Sequence, residues 1–101
     1  MIPSELLPAF LLAELADQPS HGYALAERVG MPAPHAGSLY RALRVLEAEG
    51  HVTSTWHPPA GRGPARKVYR ITRGGRAALR RARRDTVPLI HRLSAFVDAN
   101  P

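Results

Sequence analysis

Apolar positions recur along this chain first at helical spacing, then in alternation, then at helical spacing again. Leu6, Leu7, Phe10, Leu11, Ala13, Leu15 and Ala16 follow the three-and-four pattern of a helix, with Ser4 placed as N-cap and Pro8 in or near the first turn. This helix is nearly apolar all round, so it is expected to lie buried between the rest of the domain and another element, a partner subunit included. Asp17-Gln18-Pro19-Ser20 reads as a turn, with Ser20 placed to cap a second helix through His21 to Val29. Gly30-Met31-Pro32-Ala33-Pro34 then stops that helix. In the third block, from Gly37 to Gly50, a wheel at ~100° per residue gathers Leu39, Ala42, Leu43 and Leu46 on one side. Gly37, Ser38, Arg41, Arg44 and Ala48 take the other side, and Tyr40 falls on the flank.

The pattern then changes period. Val52-Thr53-Ser54-Thr55-Trp56 and Val68-Tyr69-Arg70-Ile71-Thr72 are β-branched, aromatic and alternating, which predicts two strands. Between them His57-Pro58-Pro59-Ala60-Gly61-Arg62-Gly63-Pro64-Ala65 is rich in proline and glycine, as a hairpin tip should be. From the cap Thr72 onward a last helix carries Leu79, Ala82, Thr86, Leu89, Ile90, Leu93, Phe96 and Val97 near heptad spacing. Pro88 removes the bond to the Arg84 carbonyl and disfavours helical geometry at Val87, so a kink or break is expected there. The predicted class is mainly α with a small β-hairpin: a winged helix-turn-helix over residues 1–72, then a long C-terminal dimerisation helix over 73–101. In so small a domain the last stripe has little of its own chain to cover. A second copy is the expected occupant, with Leu79, Leu89, Ile90, Leu93, Phe96 and Val97 at the two-fold interface. The alternative is a helix folded back on its own domain.

Charge sharpens this picture. The net charge is +6, yet residues 1–50 carry six acidic side chains against three basic ones, and residues 51–101 eleven basic against two acidic. From Arg62 to Arg84 there are ten Lys or Arg and no carboxylate, a pattern suited to a polyanion. Ser38, Arg41 and Arg44 are then candidates for base edges in a major groove, and the Tyr40 hydroxyl for a phosphate. Arg62, Arg66 and Lys67 are placed to meet phosphates or the adjacent minor groove. The same residues also fit a winged-helix interaction module whose basic surface binds an acidic protein partner.

Other chemistry is thinly represented. There is no cysteine, and the five histidines are scattered without carboxylates at catalytic or metal-ligand spacing, so neither an enzyme, a metal site nor a cofactor is expected. His21 and His51 read as hydrogen-bonded groups at element ends, and Trp56 as a core or wing-base residue. No apolar run approaches membrane-spanning length and the start lacks a signal peptide's basic region, which predicts a cytoplasmic protein with no membrane partner.

Several of these segments, taken in order, resemble the PadR-like transcriptional regulators. They are His21-Gly22-Tyr23, then Gly37-Ser38-Leu39-Tyr40-Arg41-Ala42-Leu43 with Leu46-Glu47 and Glu49-Gly50. Gly61-Arg62, Arg66-Lys67-Val68-Tyr69-Arg70-Ile71-Thr72 and Gly75-Arg76 with Ala78-Leu79 complete the match, which spans about residues 5 to 85. The resemblance implies a bacterial dimeric winged-helix repressor of a palindromic double-stranded DNA operator, often released by a small-molecule effector. It implies that the third helix enters the major groove, which carries to Ser38, Tyr40, Arg41 and Arg44. Tyr23 is brought near the backbone, and wing contacts carry to Arg62, Arg66 and Lys67. The chain departs from the pattern at His35-Ala36, where the family often has a Ser-Pro pair, so the usual cap of the recognition helix is missing. Its C-terminal part is one helix, as in the short branch of the family, which leaves room for an effector only at the dimer interface.

Overall fold

The computed structural model describes residues 5–31, 36–59 and 61–99. The first helix, α1 (Leu7–Asp17), follows Leu6 with no side-chain cap, and the expected cap Ser4 lies outside the described residues. Pro8 occupies the first turn, where its missing N–H would have had no helical partner anyway. Leu7, Leu11, Leu12 and Leu15 are buried, and they pack against Leu25, Leu39, Leu43, Leu46, Val52, Tyr69 and Leu79 from the rest of the chain. The all-apolar helix is therefore the centre of the core.

The next segment corrects the expected cap. Ser20 pairs with Tyr69 in a short strand, β1 (Ser20–His21), and its side chain is buried with Oγ donating to the His21 carbonyl. With Ser20 drawn into the sheet, His21 becomes the N-cap of α2 (Gly22–Arg28), its Nδ1 accepting the Ala24 N–H at 3.2 Å. The helix ends as expected at Gly30, whose φ of 74° permits the Gly30 N–H to reach the Glu27 carbonyl and Met31 the Ala26 carbonyl. The recognition-type helix α3 (Gly37–Ala48) closes in the same way at Gly50, with His51 N–H on the Leu46 carbonyl at 2.8 Å. An Arg28–Glu14 ion pair at 3.1 Å ties α2 to α1.

Strands β2 (Val52–His57) and β3 (Arg66–Ile71) form the predicted hairpin, with Val52 opposite Ile71 and His57 opposite Arg66. Because β1 adds to the other side of β3, the hairpin is part of a three-stranded antiparallel sheet of order β1-β3-β2. A two-residue strand carries too little alternation to be read from pattern alone.

The last helix, α4 (Arg73–Ala99), is continuous through Pro88, so of the expected kink or break the break does not occur. Pro88 and Arg84 both lie on the exposed part of the helix, where water can serve the freed Arg84 carbonyl. Leu79 also differs from its expected place at a dimer seam. It is 6% exposed within the chain's own core, because the first half of α4 packs on α1, with Ala82 and Thr86 half-buried beside it. Leu89, Ile90, Leu93, Phe96 and Val97 are exposed on the second half of the helix.

The start of α4 is stitched to the end of α3. Thr72 N–H bonds the His51 carbonyl at 3.0 Å, Thr72 Oγ1 donates to the Gly50 carbonyl at 2.6 Å, and the same oxygen accepts the Gly75 N–H at 3.0 Å. A Cβ at Gly75 would stand 2.0 Å from the His51 carbonyl oxygen and 2.7 Å from Ile71 Cγ1. Gly75→Ala should thus destabilise the fold by about 1–3 kcal/mol, read as a lowered thermal midpoint. Gly74→Ala, whose Cβ would meet its nearest atom at an ordinary 3.5 Å, should leave the midpoint unchanged or slightly raised.

Candidate nucleic-acid interface

Helix α3 buries Leu39, Leu43 and Leu46 and turns Arg41 and Arg44 outward, with Ser38 half-buried at its start. It begins after Ala36 with no side-chain cap, in keeping with the missing Ser-Pro pair; His35 lies outside the described residues. The Arg41 guanidinium folds back over the first turn, its Nη1 3.5 Å from where a Gly37 side chain would begin. Tyr40 lies on the flank, and its ring rests on Gly22, where a Cβ would come 2.5 Å from Tyr40 Cε1. The glycine of the His-Gly-Tyr segment is thus the seat that lets α2 and α3 approach. Tyr23 beside it is 62% exposed.

The wing is latched to this pair of helices. Glu47 of α3 accepts the Ser54 hydroxyl of β2 at 2.5 Å with one oxygen and faces Lys67 Nζ of β3 at 3.8 Å with the other. Lys67 also stands 5.7 Å above the Tyr69 ring. Arg66 Nη1 lies 3.0 Å from His21 Nε2. Of the three wing cations singled out from the sequence, Arg62 at the tip is exposed, while Arg66 and Lys67 already rest on protein partners. Exposed cations of this kind can exchange such partners for a phosphate at little cost, because a solvated ion pair contributes only about 0–1 kcal/mol.

Trp56 requires a correction. It is 69% exposed, neither a core residue nor a closed wing base. Val52 and Ser54 on the same face of β2 meet the core and Glu47, whereas Trp56, next on that face, borders an open groove. Between the helices and the sheet opens a groove of about 550 Å³. Gly22, Tyr23 and Tyr40 line it from α2 and α3, and His21, Trp56, Pro64, Arg66, Lys67 and Tyr69 from the sheet and tip. The structure therefore gathers Tyr23, Tyr40, Arg66 and Lys67, named from the sequence, into one groove. Ser38, Arg41 and Arg44 lie along the neighbouring helix and Arg62 at the wing tip.

His21 and Trp56 are the groove residues that sequence reasoning assigned to structural roles. Burial first, then the cations Arg66 and Arg28, push the His21 imidazole below its usual 6.5. Burial, then Glu47 and Tyr40, raise the Tyr69 phenol, with Arg44 opposing.

A second, apolar groove of about 210 Å³ lies between α1 and α4, with Leu6, Phe10, Ala13, Ala82, Val87 and Ile90 among its walls. Ile90 also borders a separate shallow depression, with Leu93 and Val97. Among the described residues no helix is long and apolar enough to cross a membrane, and no group of three His, Cys, Asp or Glu could hold a metal.

A helix, a second helix entered through one short strand, an outward-facing third helix and a cationic two-stranded wing define a winged helix-turn-helix protein. The chain belongs to the "Transcriptional regulator PadR-like family", whose model matches residues 11–81. That family comprises transcriptional regulators and not enzymes. Two curated proteins of Mycobacterium tuberculosis are similar over 81 residues. "Probable transcriptional regulator Rv1176c" is 41% identical over 74% of this chain and 42% of its own length. "Transcriptional regulator Rv3488" is 40% identical over 80% of this chain and 63% of its own. The chain thus matches less than two thirds of the length of either. A PadR family transcriptional regulator from Eggerthella lenta superimposes with a TM-score of 0.73 at 29% identity, covering 95% of this chain and 85% of that one.

The His21 environment fixes a sign for stability. Its folded value lies below the unfolded one, so the unfolded chain binds the proton more readily and neutral His21 stabilises the fold. That contribution is complete above about pH 6.5 and is lost as pH falls from there through the depressed folded value. The thermal midpoint of the native chain should fall between pH 7.5 and 5.5 by more than that of His21→Asn, which keeps a capping oxygen but does not titrate. Equal pH dependence in the two would show that the cap does not titrate with folding.

Proposed function

We propose that this chain acts as a homodimeric, cytoplasmic repressor that binds a palindromic operator in duplex DNA, α3 in the major groove and the wing on the flanking backbone. The observation that carries this reading is the orientation of α3: its leucines are sealed in the core, and Arg41 and Arg44 project beside a cationic wing. Arg41 and Arg44 suit guanine edges, Ser38 a base edge or phosphate, and Tyr23, Tyr40, Arg62, Arg66 and Lys67 the backbone. Membership of the PadR-like family supports regulation of transcription. A second copy is the occupant best suited to the α1–α4 groove and to the row Leu89, Ile90, Leu93, Phe96 and Val97, whose members are 50–66% exposed. Two α3 helices related by a two-fold axis would read two half-sites. A small-molecule effector would lie at that subunit interface.

Anisotropy titrations against duplexes from upstream of its own gene should show affinity falling steeply with salt. Arg41→Ala should lose discrimination between operator and unrelated duplex by about 1–3 kcal/mol. Arg62→Ala should weaken every duplex alike and lower the salt slope by about one. Absent or salt-insensitive binding to all duplexes would overturn the reading and favour an acidic protein partner.

For the dimer, sedimentation should give two subunits for the native chain and monomers for Leu93→Asp. A dimer that survives the substitution would place the interface elsewhere.

A further inference from the structure

The corner where His21 meets Arg66 is one hydrogen-bond acceptor short. A neutral imidazole has a single acceptor nitrogen, and a guanidinium has donors only. Nδ1 accepts the Ala24 N–H at 3.2 Å, so Nε2 carries the ring proton, and that proton faces Arg66 Nη1 at 3.0 Å. The other tautomer satisfies Arg66 and sets Nδ1–H against the Ala24 N–H instead. Protonation leaves both contacts donor to donor. The charged groups facing the ring are Arg66 from β3 and Arg28 from α2, both cationic, with Lys67, Tyr23, Tyr40 and Tyr69 lining the same groove. Glu47, the acid nearest the groove lining, is held by Ser54 and Lys67. An anionic oxygen entering between Nε2–H and the guanidinium would accept from both and remove the conflict.

The wall beside this corner is apolar and unusually open. Trp56 is 69% exposed and stands across the β2–β3 ladder from Lys67, facing a groove that also takes in Tyr40 and Tyr23. Bases in a duplex are stacked on one another and closed to an indole, whereas the deoxyribose of the backbone presents an apolar face beside each phosphate. The groove encloses about 550 Å³, within the ~300–1,000 Å³ typical of ligand clefts.

We infer that the groove between the wing and the α2–α3 pair seats one sugar-phosphate segment of duplex DNA, a phosphate oxygen held between His21 Nε2 and Arg66 and the adjoining deoxyribose covered by Trp56. The inference rests on the DNA-binding reading above and assigns His21 and Trp56 to it. Arg66 changes partner from the ring to the phosphate, while Nδ1 keeps capping α2.

Trp56 is the only tryptophan in the chain, so its emission reports on this groove alone. Labelled-duplex anisotropy measures binding independently. On binding, acrylamide quenching of Trp56 should fall severalfold. His21→Asn, which retains a capping oxygen, should keep its melting temperature and lose about tenfold in affinity. Arg66→Ala leaves the cap untouched and should lose at least as much, with the double variant losing less than the product of the two. Duplex binding with Trp56 still fully quenchable and unaltered affinity in His21→Asn would overturn the seat while the DNA reading stands. No binding to any duplex at low salt would overturn both. Quenching protection by single-stranded oligonucleotides alone would overturn the seat in favour of a base-stacking platform.

Discussion

The contact between Gly75 and the His51 carbonyl holds the rest of the arrangement in place. Three elements converge there: the closing turn of α3, the first residue before β2 and the first turn of α4. The left-handed Gly50 turns the chain out of α3, and His51 offers its carbonyl to Thr72 as the returning strand β3 ends. Thr72 then serves as acceptor for Gly75 and donor to Gly50 through a single oxygen. Only a residue without a side chain lets α4 pass so close. Because the hairpin leaves and returns through this knot, its root position relative to α3 is set by the hydrogen bonds of Thr72, from its backbone N–H and its hydroxyl, and not by the polar contacts further out.

Those outer contacts do a different task. Glu47 bonds both strands of the wing from the back of α3, and His21 meets the wing at Arg66. Each is a polar contact at the protein surface that a nucleic-acid phosphate can replace without disturbing the core. The geometry separates a rigid root from an adjustable rim, and the cations that would meet a backbone lie on the rim.

Long, strongly periodic elements were legible in the sequence. The leucines of α3 fall on one side and its arginines on the other, as the wheel requires, and the two wing strands lie within two residues of where alternation put them. What escaped depends on partners distant in sequence. Ser20 looks like a helix cap until Tyr69 draws it into a strand, which then hands the cap to His21. His21 acquires its second neighbour from Arg66, 45 residues on, and no local pattern announces that. Trp56 reads by residue type as a core or wing-base residue, but the packing leaves it 69% exposed. Pro88 was read by its local cost, which an exposed helix can meet with water. Leu79 fits the heptad stripe as well as Leu93 does, and only the packing of α1 decides that one is core and the other surface.

The same knot also relates the two surfaces of the molecule. Helix α4 begins with its first turn bonded to the end of α3 and ends as a projecting row of apolar side chains. A helix of 27 residues is about 40 Å long, so α4 ties the apolar row on its far half to the corner formed by Gly50 and His51 at its near end. Those residues end the helix that bears Arg41 and Arg44. In a dimer built on α4, the separation and tilt of the two arginine faces would therefore follow the angle at which the two C-terminal halves cross.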